Sequence, residues 1–148
     1  MYEVAKKSRI RLFYFFMSLF SLLFGILIYA TARNTNLVIY EWLGKPGFIA
    51  LFSIPTGIKT TIHPIVLYNL PDGLWFLSGV LLIRSLWMAE KKWCIRYLAI
   101  FYMVSFVLEM LQLDRNIPGT FDVLDLFFMG STAFAESILF YVFIRRRI

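Results

Sequence analysis

Two apolar runs of this chain meet at a turn rich in carboxylates. Glu109 and Gln112 stand before the turn in "LEMLQL", and Asp122 and Asp125 stand after it in "TFDVLD". Asp72, in "LPDGLWF", opens an earlier apolar run, with Trp75 one turn along. Acids at the ends of greasy segments can bind a cation or a polar headgroup, pass a proton, serve as a general base or hold Mg²⁺. A second pair of charges, Arg84 and Glu136, lies well inside two of the apolar runs. Charges placed there turn to a bundle interior or a wet cavity rather than to lipid.

These residues need elements to position them, and the composition says which. Of 148 residues, 60% are hydrophobic, 19% aromatic and only 16% charged. A soluble domain is nearer half apolar and a quarter charged, so the membrane class is favoured. The run from 12 to 32 carries no charge and is long enough as a helix to cross about 30 Å of hydrocarbon. Lys6, Lys7, Arg9 and Arg11 precede it, as in a secretory signal, but the run exceeds a signal's apolar region of about 7–15 residues. It reads as a retained helix. Further spans are expected over 70–89, 93–113 and 121–144. Residues 34–70 read as an interfacial or partly re-entrant outer segment, broken by Pro46, Pro55, Lys59 and His63. Whether 46–60 re-enters the membrane stays open. The expected fold is all-α: a polytopic membrane protein forming a four-transmembrane-helix bundle, one domain over 1–148.

Lysine and arginine set the orientation. With the N-terminus inside, eleven of the fifteen fall on the inner side, and only Arg33, Lys45, Lys59 and Arg115 fall outside. This is the positive-inside pattern. It predicts both termini in the cytoplasm of a bacterial plasma membrane, with the arginines at 145–147 as an anchor touching anionic lipid. No nucleic-acid partner is expected from the net charge of +6.

Helical spacing then groups the polar residues, because positions three and four apart share a face. Tyr102, Ser105, Glu109 and Gln112 form one stripe. Asp122, Asp125, Met129, Thr132 and Glu136 form another, and Asp72, Trp75, Phe76 and Gly79 a third. Asp72, Glu109, Gln112, Asp122 and Asp125 fall at one depth near the outer boundary. An outward-opening polar pocket ringed by Trp75, Phe76, Phe121 and Phe127 is expected there. Asp122 and Asp72 also suit helix starts, where a carboxylate caps N–H groups. Glu109 sits at a helix C-terminal end, which disfavours an anion, so it needs a partner: Arg115, Gln112, or a proton shared with Asp125. Asp125 and Glu136 are eleven residues apart, about 16 Å along a helix. That depth matches Arg84, and an intramembrane Arg84–Glu136 ion pair is expected, unless Arg84 snorkels to the surface.

Other chemistry is thinly represented. The one cysteine, Cys94, excludes a disulfide within the chain and a Cys-rich metal site. His63 is the one histidine, nothing has zincin-type spacing, and no metal or cofactor is expected. There is no nucleophile elbow, phosphate loop or GxGxxG. "GSTAFAES", around Glu136, holds small residues at four-residue spacing that permit close helix packing within the bundle or between protomers.

"EMLQ" closing one helix, "PGTFD" in the turn and "VLDLFFMGSTAF" opening the next resemble the VanZ-like family of small bacterial membrane proteins. The match rests on Glu109, Gln112, Pro118, Gly119, Thr120, Phe121, Asp122 and Asp125, and it covers about residues 70–135. Asp72 resembles the family's earlier Asp at a helix start. The family often continues there with Lys and a His-Phe pair, where this chain has Gly73-Leu74-Trp75. The resemblance implies a cell-envelope protein, in a family first associated with low-level resistance to teicoplanin. The expected function is non-enzymatic: binding of a lipid or envelope-precursor headgroup at the acidic pocket, or service as a subunit of a membrane complex. Membrane lipids, and a homo-oligomer or larger complex, are the expected partners. Two other readings stand beside it: an enzyme acting on a lipid-linked substrate with the carboxylates, and a small oligomeric transporter or channel.

Overall fold

The computed structural model describes residues 2–32, 63, 65, 68–114 and 121–144. Among the described residues four helices carry the architecture: α1 (Tyr2–Ala32), α2 (Leu70–Trp87), α3 (Lys91–Leu111) and α4 (Val123–Leu139). A 3₁₀ turn, Gln112–Asp114, follows α3, and a wider π-helical turn, Phe140–Ile144, follows α4. The segment expected to be interfacial, 34–70, lies almost wholly outside the described residues. Of it, His63 is exposed and accepts the Ile65 N–H at Nδ1.

Among the described residues three segments are long and apolar enough to cross a membrane: Lys7–Tyr29, Lys91–Leu111 and Val123–Val142. Most of their surface is exposed apolar side chain, as a lipid solvent permits and water does not. The remaining helix, α2, differs from the expected fourth span. It has 18 residues and carries both Asp72 and Arg84. It sits at the centre, packed against each of the other helices, whereas α3 and α4 barely touch one another along their lengths. Its polarity is shielded by protein.

Local sequence explains the starts and stops. Pro71 lies in the first turn of α2, where its missing N–H costs nothing, and Asp72 lies at the positive end of the helix dipole. The turn after Trp87 is short, with Glu90 N–H donating to the Trp87 carbonyl, so α2 and α3 form a helical hairpin. Asp122 stands in extended conformation as the N-cap of α4, its Oδ1 accepting the Leu124 N–H at 2.9 Å.

Close approach to α2 is made through small residues. On α1 the buried face is Tyr14, Ser18, Ser21 and Gly25, a seam spaced by four, three and four residues. The Ser18 hydroxyl donates to the Ser78 carbonyl and the Ser21 hydroxyl to the Leu74 carbonyl, each at 2.8 Å. Such bonds between membrane helices are each worth about 0.6 kcal/mol. At the other end of the seam Arg11 Nε donates to the Ser85 carbonyl at 2.9 Å and Nη2 to Leu86 at 3.2 Å. A cation there satisfies the last carbonyls of α2 and suits its negative pole.

Gly25 makes the seam sterically specific. A Cβ at this position would lie 2.7 Å from the Trp75 indole and 3.3 Å from Leu74 Cβ. Trp75 also packs on the Tyr29 ring, 5.1 Å away, so it has little room to retreat. Gly25→Ala is therefore expected to destabilise the fold by about 1–3 kcal/mol through overpacking. Gly130→Ala, where a Cβ meets nothing within 4 Å, is expected to be neutral or mildly stabilising through helix propensity. Thermal unfolding of the two variants in detergent checks the contrast.

Candidate functional site

The polar side chains gather in two places. The first lies where α2 begins, α3 ends and α4 begins. Asn69, immediately before α2, is 3% exposed. Its Nδ2 donates to Asp122 Oδ2 at 2.9 Å and to Asp125 Oδ1 at 2.8 Å, so one amide nitrogen bridges two carboxylates. Asp122 uses its other oxygen to cap α4. Glu109 Oε1 accepts the backbone N–H of Asp122 at 3.2 Å, tying the end of α3 to the start of α4. The carboxylate is 6% exposed, although it closes an otherwise lipid-facing helix.

Among the described residues, the partner of Glu109 is thus a backbone N–H rather than a side chain. Asp122 and Asp125 come within reach of one another through Asn69, as their shared depth implied. Gln112 helps to cap α3 through its backbone N–H, and its side chain bonds to none of these carboxylates. Asp72 is half-buried in the first turn of α2, and Arg115 lies outside the described residues. The expected aromatic rim is not assembled. Trp75 turns to α1, with its Nε1 buried and unpartnered. Phe76 turns into the core, stacked on Phe101 and Tyr102 at 5.2 and 5.5 Å. Phe127 is 66% exposed on the outer face of α4. Adjacent helical positions point about 100° apart, so Trp75 and Phe76 cannot line one mouth.

The second assembly lies about 16 Å along α4. Arg84 Nε sits 3.1 Å from Glu136 Oε1, and Nη2 lies 3.3 Å from Oε2. Glu136 is 3% exposed, and Tyr14 also hydrogen-bonds to it. Arg84 does not snorkel. Its guanidinium lies 4.0 Å from the centre of the Phe140 ring, and Nη1 approaches Cys94 Sγ at 3.7 Å. Both carboxylate oxygens are satisfied, which a buried pair needs if attraction is to offset desolvation. Four segments meet here: Tyr14 from α1, Arg84 from α2, Cys94 from α3 and Glu136 from α4. Beside them the Tyr102 hydroxyl is buried, with the Ser137 side chain as its polar neighbour.

Small residues on α4 do not pack within the chain. Gly130, Ser131, Ala135 and Ser137 are exposed, and only Ala133 lies against the core. Thr132 turns its hydroxyl back to the carbonyls of Phe128 and Met129, a local bond that spends its polarity inside the helix.

Sequence reasoning missed Asn69, Arg11 and the Ser18–Ser21 seam. Asn69 had a visible signal, since Asn directly before "LPD" occupies a helix N-cap position. Here its amide serves the neighbouring carboxylates instead of its own helix, for no side-chain cap bond is made. Among the described residues no group of three His, Cys, Asp or Glu side chains is placed to hold a metal ion. Comparison with known proteins finds no matching family model, no matching curated protein and no matching solved structure.

Proposed function

We propose that this is a VanZ-like, non-enzymatic protein of the bacterial cell envelope, a four-helix membrane bundle that holds a polar headgroup at the Glu109–Asp122–Asp125 cluster. The observation that carries the reading is the gathering of three carboxylates at one end of the bundle: Asp122 and Asp125 share the buried Asn69 amide, and Glu109 accepts the Asp122 backbone N–H. Carboxylates accept hydrogen bonds and attract cations, so a headgroup bearing an amine matches the cluster best. The positive-inside count puts the cluster on the outer side of the membrane and both termini in the cytoplasm. α2, with its two charges, crosses inside the ring of the other three helices. The Arg84–Glu136 pair in this reading is structural, joining α2 to α4, and lies on no transport path.

The test is retention of an amine-bearing lipid. Native mass spectrometry of the detergent-solubilised protein is expected to show phosphatidylethanolamine held more firmly than phosphatidylglycerol by this end of the molecule. Glu109→Gln combined with Asp125→Asn should erase that preference and change the susceptibility of cells to envelope-directed antibiotics. A double variant with unaltered lipid retention and an unaltered cellular phenotype would defeat the headgroup reading.

A further inference from the structure

At the end of the bundle opposite the acids, α3 and α4 part company. Glu109 and Asp122 hold them together at one end, but where α2 turns into α3 a cavity of about 460 Å³ opens between them, floored by α2. That volume falls in the range that encloses a small organic ligand. Met88, Ile95, Phe140 and Tyr141 give it apolar walls, and Arg84 and Lys91 give it charge. The charge of Arg84 is matched by Glu136 at 3.1 Å. Lys91 is exposed at the mouth and makes no ion pair with a described residue, so the lining carries one uncompensated positive charge.

The backbone adds to that charge. Lys91 is the first residue of α3, and the first intrahelical bond is the Cys94 N–H to the Glu90 carbonyl. The N–H groups of the three residues before Cys94 therefore have no acceptor within the helix, and Glu90 makes no side-chain cap. A 21-residue helix thus presents an uncapped positive end beside an apolar cavity with a lysine at its rim. Glu90 itself is exposed and does not line the cavity. Lys92 and Arg96 on the same stretch of α3 keep the surrounding potential positive.

We infer that this cavity is a binding site for an anionic phospholipid, with its phosphate at Lys91 and the first turn of α3, and an acyl chain along Ile95, Phe140 and Tyr141. A soluble anion would use the positive mouth but leave the apolar walls empty. A neutral lipid would fill the walls but leave Lys91 without a counter-charge. An anionic amphiphile alone satisfies both. Arg84 Nη1, whose nearest partner is the weak acceptor Cys94 Sγ, faces the same cavity and offers a second donor to phosphate or ester oxygens.

The full-length protein in detergent, titrated with lipid and read by native mass spectrometry, tests this. Phosphatidylglycerol should bind about fivefold more tightly than phosphatidylcholine with the same acyl chains, as one basic contact to an anionic headgroup gives. Lys91→Gln should abolish that difference. Lys92→Gln, exposed and one residue away but outside the lining, should keep it. Glycerophosphoglycerol, the same headgroup without tails, should bind too weakly to detect. The inference is overturned if the two lipids bind equally, if Lys91→Gln and Lys92→Gln behave alike, or if the tail-less compound binds as well as the lipid.

Discussion

Glu136→Leu is expected to destabilise the bundle by about 3 kcal/mol or more, the usual cost of stripping one partner from a buried ion pair. The substitution is close in volume and adds apolar contact, so packing alone predicts a small effect. The loss comes from Arg84, whose guanidinium would remain between α2, α3 and α4 beside the Phe140 ring and the Cys94 sulfur, with no carboxylate among the described residues to pair with it. Tyr14, which shares Glu136, would lose that partner as well. Arg84→Met combined with Glu136→Leu removes both charges, and this double variant should recover to within about 1 kcal/mol of the parent, since a well-packed apolar replacement of a buried pair is often neutral. Unfolding in mixed micelles measures both. Equal losses in the single and the double variant would show that the pair contributes volume rather than electrostatics.

Asn69→Asp should be comparably damaging, and its cost should depend on pH. Asn69 donates two hydrogen bonds to charged acceptors, each worth about 1.5–3 kcal/mol. An ionised carboxylate at this position cannot donate, and it would face Asp122 and Asp125 at the same short range, where like charges cost several kcal/mol. The new carboxyl can relieve the clash by holding a proton in the folded state. The folded protein then binds more protons than the unfolded one, so stability falls as pH rises and returns on acidification. The variant should approach parental stability at about pH 4 and fall well below it at about pH 7, with Asn69→Gln as the uncharged comparison. A pH-independent deficit would mean that Asn69 acts through shape alone.

Much of this was legible in the sequence, for identifiable reasons. Charges and prolines bracket the apolar runs, so α2, α3 and α4 begin and end near the expected positions, whereas α1 runs on through the basic residues before its apolar stretch and begins at Tyr2 rather than at 12. Arg84 and Glu136 pair because depth in a helix is only residue number multiplied by rise, and both side chains have to find a partner inside. Azimuth was harder to read. Trp75 and Phe76 are neighbours in a helix contacted on several sides, and hydropathy does not say which neighbour claims which face. Asn69 was hidden for a different reason. A lone amide in a polar loop carries no periodic signal, and its value appears only when the chain returns, more than fifty residues later, with two acids.

The central position of α2 has a consequence for biogenesis. The chain emerges in order, and Arg84 leads Glu136 by 52 residues. When α2 is made, the carboxylate that neutralises its arginine has yet to be synthesised. Among the described helices α1 alone precedes it, offering Arg11, Ser18 and Ser21 to the backbone of α2 but no described negative charge to Arg84. The ion pair that fixes α2 to α4 therefore forms only once Glu136 has been delivered. Docking of α2 is in that sense completed by α4, and a nascent chain stopped short of residue 136 is expected to remain open to quality-control proteases.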